Sequence, residues 1–304
     1  MNCDIIIIGA GPAGLSAALY AKRYGLTPIV LEETIYGGQV VNTPEVENYP
    51  GIKHISGAEL SMSLYEQVAA LGVEVRLEGA VSCELTAPLK TVTTAAEVFT
   101  APAVIIANGA RRRKLECEGE ERLSGHGVSY CATCDGSFYR GKKVVIVGGG
   151  NTALEDALFL ANLCSEVHLI HRRNEFRGNK ILVDALLGRE NIIVHYDSIV
   201  TEILGENTVS AVTLQNVKTH GLESLSASGV FVAVGLVPEN TLFAEQTELD
   251  PAGYIVAGEN CRTSLKGVYA AGDTRTKALR QIITAAADGA VAAFEAANMI
   301  NENR

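Results

Sequence analysis

The chain has 304 residues, 47% of them apolar and 20% charged, enough for two domains of ordinary size with a real core. Its 25 basic against 35 acidic side chains leave a formal charge of −10, which argues against non-specific binding to nucleic acid or to an anionic membrane. No apolar stretch approaches the roughly 18 residues that a membrane span needs, and the N-terminus lacks the basic flank of a secretion signal.

The first predicted strand is the isoleucine run Ile5–Ile8, the pattern of a strand covered on both faces. It runs into Gly9-Ala10-Gly11-Pro12-Ala13-Gly14 and then a helix whose small face carries Ala13, Leu15, Ala18 and Leu19. A second strand, Pro28–Leu31, ends at Glu32-Glu33. Glycine lets the backbone approach phosphates closely, and the free N–H groups of the adjoining helix favour a pyrophosphate. Glu32, 18 residues past Gly14, is placed to accept hydrogen bonds from an adenosine ribose. A glycine motif alone is weak evidence. Strand, helix and downstream acid together make it a dinucleotide site.

The Arg111-Arg112-Arg113-Lys114 run reads as a solvated face. Beyond it, only one close pair stands out among seven cysteines, Cys131-Ala132-Thr133-Cys134-Asp135. A structural zinc needs four ligands, and no second pair completes the set; His126 stands alone. No metal site is expected. The pair therefore reads as a redox dithiol, and the scarcity of other pairs fits a cytoplasmic protein better than a secreted disulfide framework. Asp135 can serve a departing thiolate as general acid or base, or simply cap a turn.

A second strand–turn–helix comes next: Val144–Val147, Gly148-Gly149-Gly150-Asn151-Thr152-Ala153, then Leu154, Ala157, Leu158 and Ala161 on one helical face. Its next strand, Val167–Ile170, ends at His171-Arg172-Arg173. The spacing repeats, 32 − 9 = 23 and 171 − 148 = 23, so His171-Arg172 stands where the first unit has Glu32-Glu33. Guanidinium groups there, with Arg177 close behind, can grip a ribose 2′-phosphate bidentately, which selects NADPH over NADH. His171 alone could equally be a hydrogen-bonded structural histidine.

A late strand, Gly267–Ala271, leads to Gly272-Asp273, and a helix is predicted to begin near Arg280-Gln281. Asp273 suits a hydroxylated chain such as a flavin ribityl group, and the helix start would favour an anionic reduced flavin. This segment reads as a return to the first domain, so 1–113 and 240–304 form one domain and 114–239 an insertion.

With these motifs in order over essentially its whole length, the chain resembles the bacterial-type, low-molecular-weight thioredoxin reductases. Gly37-Gly38-Gln39, Glu45-Val46-Glu47-Asn48-Tyr49-Pro50-Gly51 and Ala271-Gly272-Asp273 with Arg280-Gln281 complete the match. The resemblance implies an α/β fold of two Rossmann-like dinucleotide-binding domains, each of the three-layer ββα type, the second inserted in the first. It implies FAD in the discontinuous domain, against Gly9, Gly11, Pro12, Ala13, Gly14, Glu32, Glu33, Gly38, Gln39, Asn48, Gly109, Gly272, Asp273, Arg280 and Gln281. NADPH would lie in the inserted domain against Gly148, Gly150, Asn151, Thr152, His171, Arg172, Arg173 and Arg177. Cys134 would face the flavin, Asp135 would serve as acid or base, and electrons would pass to thioredoxin or a thioredoxin-like disulfide protein. A homodimer and alternating domain orientations are further implications.

One residue departs from the family pattern. Asn108, in Ile105-Ile106-Ala107-Asn108-Gly109-Ala110, stands where the family usually has Thr, so an adjusted flavin contact is expected, not loss of FAD. A ferredoxin-linked reductase, a small-molecule dithiol oxidase and a flavin redox sensor without turnover are the competing readings. The basic triplet speaks against the first, and the intact Cys131, Cys134 and Asp135 against the last.

Overall fold

The structure, a computed structural model, describes residues 3–43 and 45–302. The chain divides into two compact units, one running up to Arg111 and again from Val237 onward, the other Arg112–Leu236. The crossings thus fall two and three residues before the boundaries expected at 113 and 239.

In the discontinuous unit the strands Val268–Ala270, Ala103–Ile106, Ile5–Ile8, Pro28–Leu31 and Glu74–Arg76 form, in that order, one parallel sheet. The all-isoleucine strand is central, and period-two alternation splits it between two cores. Ile5 and Ile7 pack with Ala13, Leu15, Ala17, Ala18 and Ala21 of the Pro12–Arg23 helix and with Ala292, Ala293 and Ala296 of the Ile282–Glu302 helix. Ile6 and Ile8 pack with Leu85, Val92 and Phe99 from the antiparallel sheet of Ala80–Glu84, Lys90–Thr94 and Val98–Ala101. Each fully buried isoleucine contributes about 1.5–3 kcal/mol relative to exposure.

The small helical face read from the sequence has a packing cause. A Cβ placed on Gly289 would lie 2.0 Å from the Ala13 carbonyl oxygen, so the first and last helices meet backbone against backbone.

The inserted unit repeats the plan. Ile192–His195, Glu166–Ile170, Lys143–Gly148, Gly229–Ala233 and Val128–Ser129 form a second parallel sheet. Val144 and Ile146 face the Asn151–Ala161 helix, while Val145 and Val147 face the antiparallel sheet of Ser198–Leu204, Ala211–Asn216 and Leu222–Ser226. The duplication extends to register: Ile8 pairs with Leu31, and Val147 with Ile170. Among the described residues no helix is long and apolar enough to cross a membrane.

Candidate active site

In both parallel sheets the glycine turn leaves the C-terminal edge of the central strand, the edge at which open α/β sheets bind ligands. In the first turn the three glycines serve two different ends. A Cβ on Gly9 would come within 2.4 Å of the Ala107 carbonyl oxygen, and one on Gly14 within 1.8 Å of the Gly9 oxygen, so both are held by packing. A Cβ on Gly11 would meet nothing within 4 Å. The second turn repeats this: Gly148 is confined by Ala233 and Ala153, whereas Gly150 faces open space.

The helices after the two turns are also alike in their caps. Gly11 and Gly150 cap Pro12–Arg23 and Asn151–Ala161, and neither offers a side chain to the first-turn amides. Pro12 at the first helical position gives up an N–H that the helix does not use. The helices Gly57–Ala70 and Lys180–Leu187, by contrast, are capped by the Ser56 hydroxyl and the Asn179 carbonyl. The two turns thus leave their helix amides to whatever approaches from outside.

Gly37, Gly38 and Gly272 close on the first turn and its helix, and other residues read from the sequence are fixed by contacts of their own. Gly37 N–H donates to the Ala10 carbonyl at 2.7 Å, and a Cβ on Gly38 would touch Gly11 at 3.4 Å. Gln39 donates from Nε2 to the Ala110 carbonyl. Gly109 keeps a positive φ of 72° with open space at its Cβ position. Gly272, before Asp273, sits against Ala13, its added Cβ 2.9 Å from the Ala13 Cβ. Asn48 Nδ2 donates to Gln281 Oε1 at 3.2 Å, and the Arg280 guanidinium lies 3.9 Å above the Tyr254 ring.

Glu32 is turned inward. Only 8% exposed, it accepts from Ala10 N–H (2.7 Å) at Oε2 and from Thr34 N–H (2.9 Å) at Oε1, clamping the glycine turn. Glu33 is exposed, with Arg111 3.9 Å away.

Asn108 donates from Nδ2 to the Glu239 carbonyl at 2.9 Å, while its Oδ1 is buried without a hydrogen bond. Arg280 Nε is likewise buried and unsatisfied. Unmet buried polar atoms are expensive, and a polar ligand lying along this edge would meet them. The open Gly11 cradle and these two atoms fit a flavin dinucleotide.

Three residues that sequence reasoning passed over organise the loop carrying Asp273. The buried Asp288 carboxylate accepts from Gly272 N–H (2.9 Å), from Arg275 Nε and Nη2 (2.8 and 2.7 Å), and from Lys277 Nζ (2.8 Å). Burial by itself would raise the Asp288 pKa, but hydrogen bonds from Arg275 and Lys277 outweigh it and hold the carboxyl below its ordinary value. An acid in the middle of an alanine-rich helix was the available signal.

In the inserted unit the loop after Ile170 folds over the second turn. Arg177 N–H donates to the Gly149 carbonyl at 2.9 Å, and Asn179 N–H to Asn151 Oδ1 at 2.7 Å. Arg172, Arg173 and Arg177 are exposed and, among the described residues, in no ion pair. Three uncompensated guanidinium groups beside an open glycine fit a phosphate-bearing nucleotide. Thr152 is exposed at the start of the helix.

His171 is turned inward. It is 6% exposed, bonded to the Glu175 carbonyl at 2.9 Å and stacked on Phe176. A Cβ on Gly149 would come within 2.1 Å of its ring, so His171 is the wall against which the triple-glycine turn rests.

Cys131 and Cys134 form a disulfide. Cys131 caps the four-residue helix Ala132–Asp135, and a Cβ on the next residue, Gly136, would come within 3.0 Å of both Phe159 and Leu160. The dithiol turn is therefore docked on the same helix whose N-terminus is the second glycine turn. The other five cysteines are free thiols, and burial pushes Cys3, Cys117 and Cys261 up to about 12, 11 and 12. None of those three is poised as a nucleophile at neutral pH. Among the described residues no metal-ligating group includes either cysteine of the disulfide or His126. The Arg111–Lys114 run is exposed, with Arg111 paired to Glu239 at 2.6 Å and Arg112 lying over Tyr130.

Comparison with known proteins agrees with this layout. Residues 3–289 match the pyridine nucleotide-disulphide oxidoreductase family. A thioredoxin reductase of Mycolicibacterium smegmatis is 44% identical over 98% of this chain and 97% of its own. A bifunctional thioredoxin reductase/thioredoxin of Mycobacterium leprae is also 44% identical, and the chain spans 66% of it. The solved thioredoxin reductase of Streptococcus pyogenes superimposes with a TM-score of 0.94 at 40% identity, covering 99% of each chain. A protein with this duplicated fold, this disulfide and these relatives is an oxidoreductase that uses a flavin and a pyridine nucleotide. The chain belongs to the pyridine nucleotide-disulphide oxidoreductases and, among them, to the thioredoxin reductases.

Proposed function

We propose that this chain reduces the disulfide of thioredoxin, or of a thioredoxin-like protein, with electrons drawn from NADPH by way of FAD. The reading is carried by one observation: a disulfide docked on a helix whose own N-terminus is an open glycine turn, in a chain that contains a second such turn. FAD would lie along the edge bounded by Gly11, Gly38, Asn48, Asp273, Arg280 and Gln281, with the remaining accepting capacity of Glu32 Oε2, which takes only the Ala10 N–H, left to a ribose hydroxyl. NADPH would lie at Gly150 and Thr152, its 2′-phosphate gripped by Arg172, Arg173 and Arg177.

When bound, these groups supply an electron pair to the Cys131–Cys134 bond. The remaining steps belong to the chain's own residues. Two electrons and two protons turn the disulfide into two thiols, with Asp135 handing a proton to, or taking one from, the neighbouring sulfur. Cys131, as thiolate, attacks the partner's disulfide; one mixed disulfide forms and one partner thiol leaves. Cys134 then attacks Cys131 of that mixed disulfide, so the Cys131–Cys134 bond returns and the partner departs as a dithiol. The five remaining free thiols support a cytoplasmic location. A homodimer is expected, with light scattering giving twice the 32.2 kDa chain mass.

Steady-state reduction of a panel of thioredoxins with NADPH and with NADH tests the reading. NADPH is expected to serve far better. Arg172→Ala with Arg173→Ala is expected to raise KM for NADPH about 10–100-fold, the worth of one or two charge-assisted hydrogen bonds, and to leave KM for NADH in place. Equal losses with both donors would exclude the phosphate-gripping role.

A further inference from the structure

Ser129 ends the two-residue strand Val128–Ser129, is only 4% exposed, and stands two residues before the disulfide. Its hydroxyl reaches three groups of the redox turn. It accepts from Cys131 N–H at 3.1 Å, lies 2.6 Å from Asp135 Oδ2, and lies 3.3 Å from the Cys131 carbonyl oxygen. One hydrogen cannot serve both acceptors. The carboxylate is nearer and charged, so the hydroxyl donates to Asp135.

From this geometry we propose that Ser129 is a positioning residue for thiol–disulfide exchange, a rotating hydroxyl that holds Asp135 in either protonation state. The proposal rests on the reading of Asp135 as the acid or base beside the dithiol. While Asp135 is ionised, Ser129 O–H donates to it and favours the charged form. When Asp135 takes a proton from a thiol, its O–H donates to Ser129 Oγ, and the serine hydrogen turns to the Cys131 carbonyl. In both states the Ser129 oxygen keeps the Cys131 N–H, so the sulfur-bearing turn and the proton carrier stay in register while the proton moves. The Ser129 hydroxyl keeps one donated and at least one accepted hydrogen bond in either state. Tyr139 also senses the Asp135 charge, but burial and that carboxylate push its hydroxyl above its ordinary value, so it stays neutral through the working range.

The test is the pH profile of a single turnover, the reduction of thioredoxin disulfide by the pre-reduced full chain, in Ser129→Ala, Asp135→Asn and the double variant. Asp135→Asn is expected to abolish one inflection. Ser129→Ala is expected to move that same inflection upward by about one pH unit, the scale of a lost hydrogen bond to a charged group, and Ser129→Thr to restore it. Adding Ser129→Ala to Asp135→Asn should cost less than about threefold further. An inflection that Ser129→Ala leaves in place, or an equal loss of rate in the two backgrounds, would overturn the positioning role and leave the Asp135 reading standing. If Asp135→Asn keeps the inflection, both readings fall together.

Discussion

Gly11 and Gly14 sit three positions apart in one turn, and only their surroundings tell them apart. Gly14→Ala must push a methyl into the Gly9 carbonyl oxygen, so it is expected to destabilise the protein on the scale of an overpacked core, about 1–3 kcal/mol. Gly11→Val enters open space at a φ of −74° and is expected to change unfolding by no more than about 0.5 kcal/mol while weakening FAD binding at least tenfold. Thermal unfolding of flavin-free protein and flavin fluorescence quenching separate the two effects; tight flavin binding by Gly11→Val would remove the first turn from the site. The glycine spacing was legible from the sequence, but which glycine is left facing open space was not. That depends on the fold of the turn itself, which brings the Gly9 carbonyl onto Gly14, and on Ala107 and Ala233, contributed by segments distant in sequence. The inward turn of His171 is similar, because its partner Gly149 lies 22 positions earlier (171 − 149). Ser129 was visible as a letter beside Cys131, but its partnership with Asp135 exists only once the short helix brings position 135 back onto the strand.

At the scale of elements, two helices carry buried acids whose pKa values are shifted in opposite directions, because only one of them has cationic partners. On the Asn151–Ala161 helix, burial pushes Asp156 up to about 6, with the Glu155 charge adding to it. Its folded value lies above the unfolded value near 3.9, so the fold favours the protonated acid. The penalty for the ionised form is absent below about pH 4, grows between pH 4 and 6, and is complete above that. Asp156→Asn is therefore expected to stabilise the protein by about 2 kcal/mol at pH 7.5 and scarcely at all at pH 4, read from denaturant midpoints at the two pH values. A gain that is equal at both would exclude the charge as its origin. Asp288 on the last helix has the reverse sign. Its folded value is depressed, so its contribution is present above about pH 4 and is lost on acidification below that. The sequence revealed the elements in proportion to their patterning. All-apolar central strands and small-faced helices were read with their spacing, and the 23-residue repeat became the strand register itself. The antiparallel strands were not read. Ala80–Glu84 and Leu222–Ser226 are mostly exposed and mix charge with apolar residues, so no period announces them.

For the whole molecule, duplication is the organising fact. Two copies of one strand–turn–helix corner differ in the residues after the second strand, Glu32 clamping one turn and an arginine-bearing loop covering the other. The composition and the order of motifs made this plan legible, including the return of the chain to its first unit near residue 237. The central claim is that a pyridine nucleotide, a flavin and one disulfide act in series. An anaerobic titration of the FAD-loaded protein tests it directly, with NADPH added first and oxidised thioredoxin second, in the wild type and in Cys131→Ser. Flavin absorbance is expected to bleach with NADPH in both proteins and to return on thioredoxin addition in the wild type alone. A flavin that NADPH does not bleach, or one that thioredoxin reoxidises as well in Cys131→Ser as in the wild type, would contradict the series.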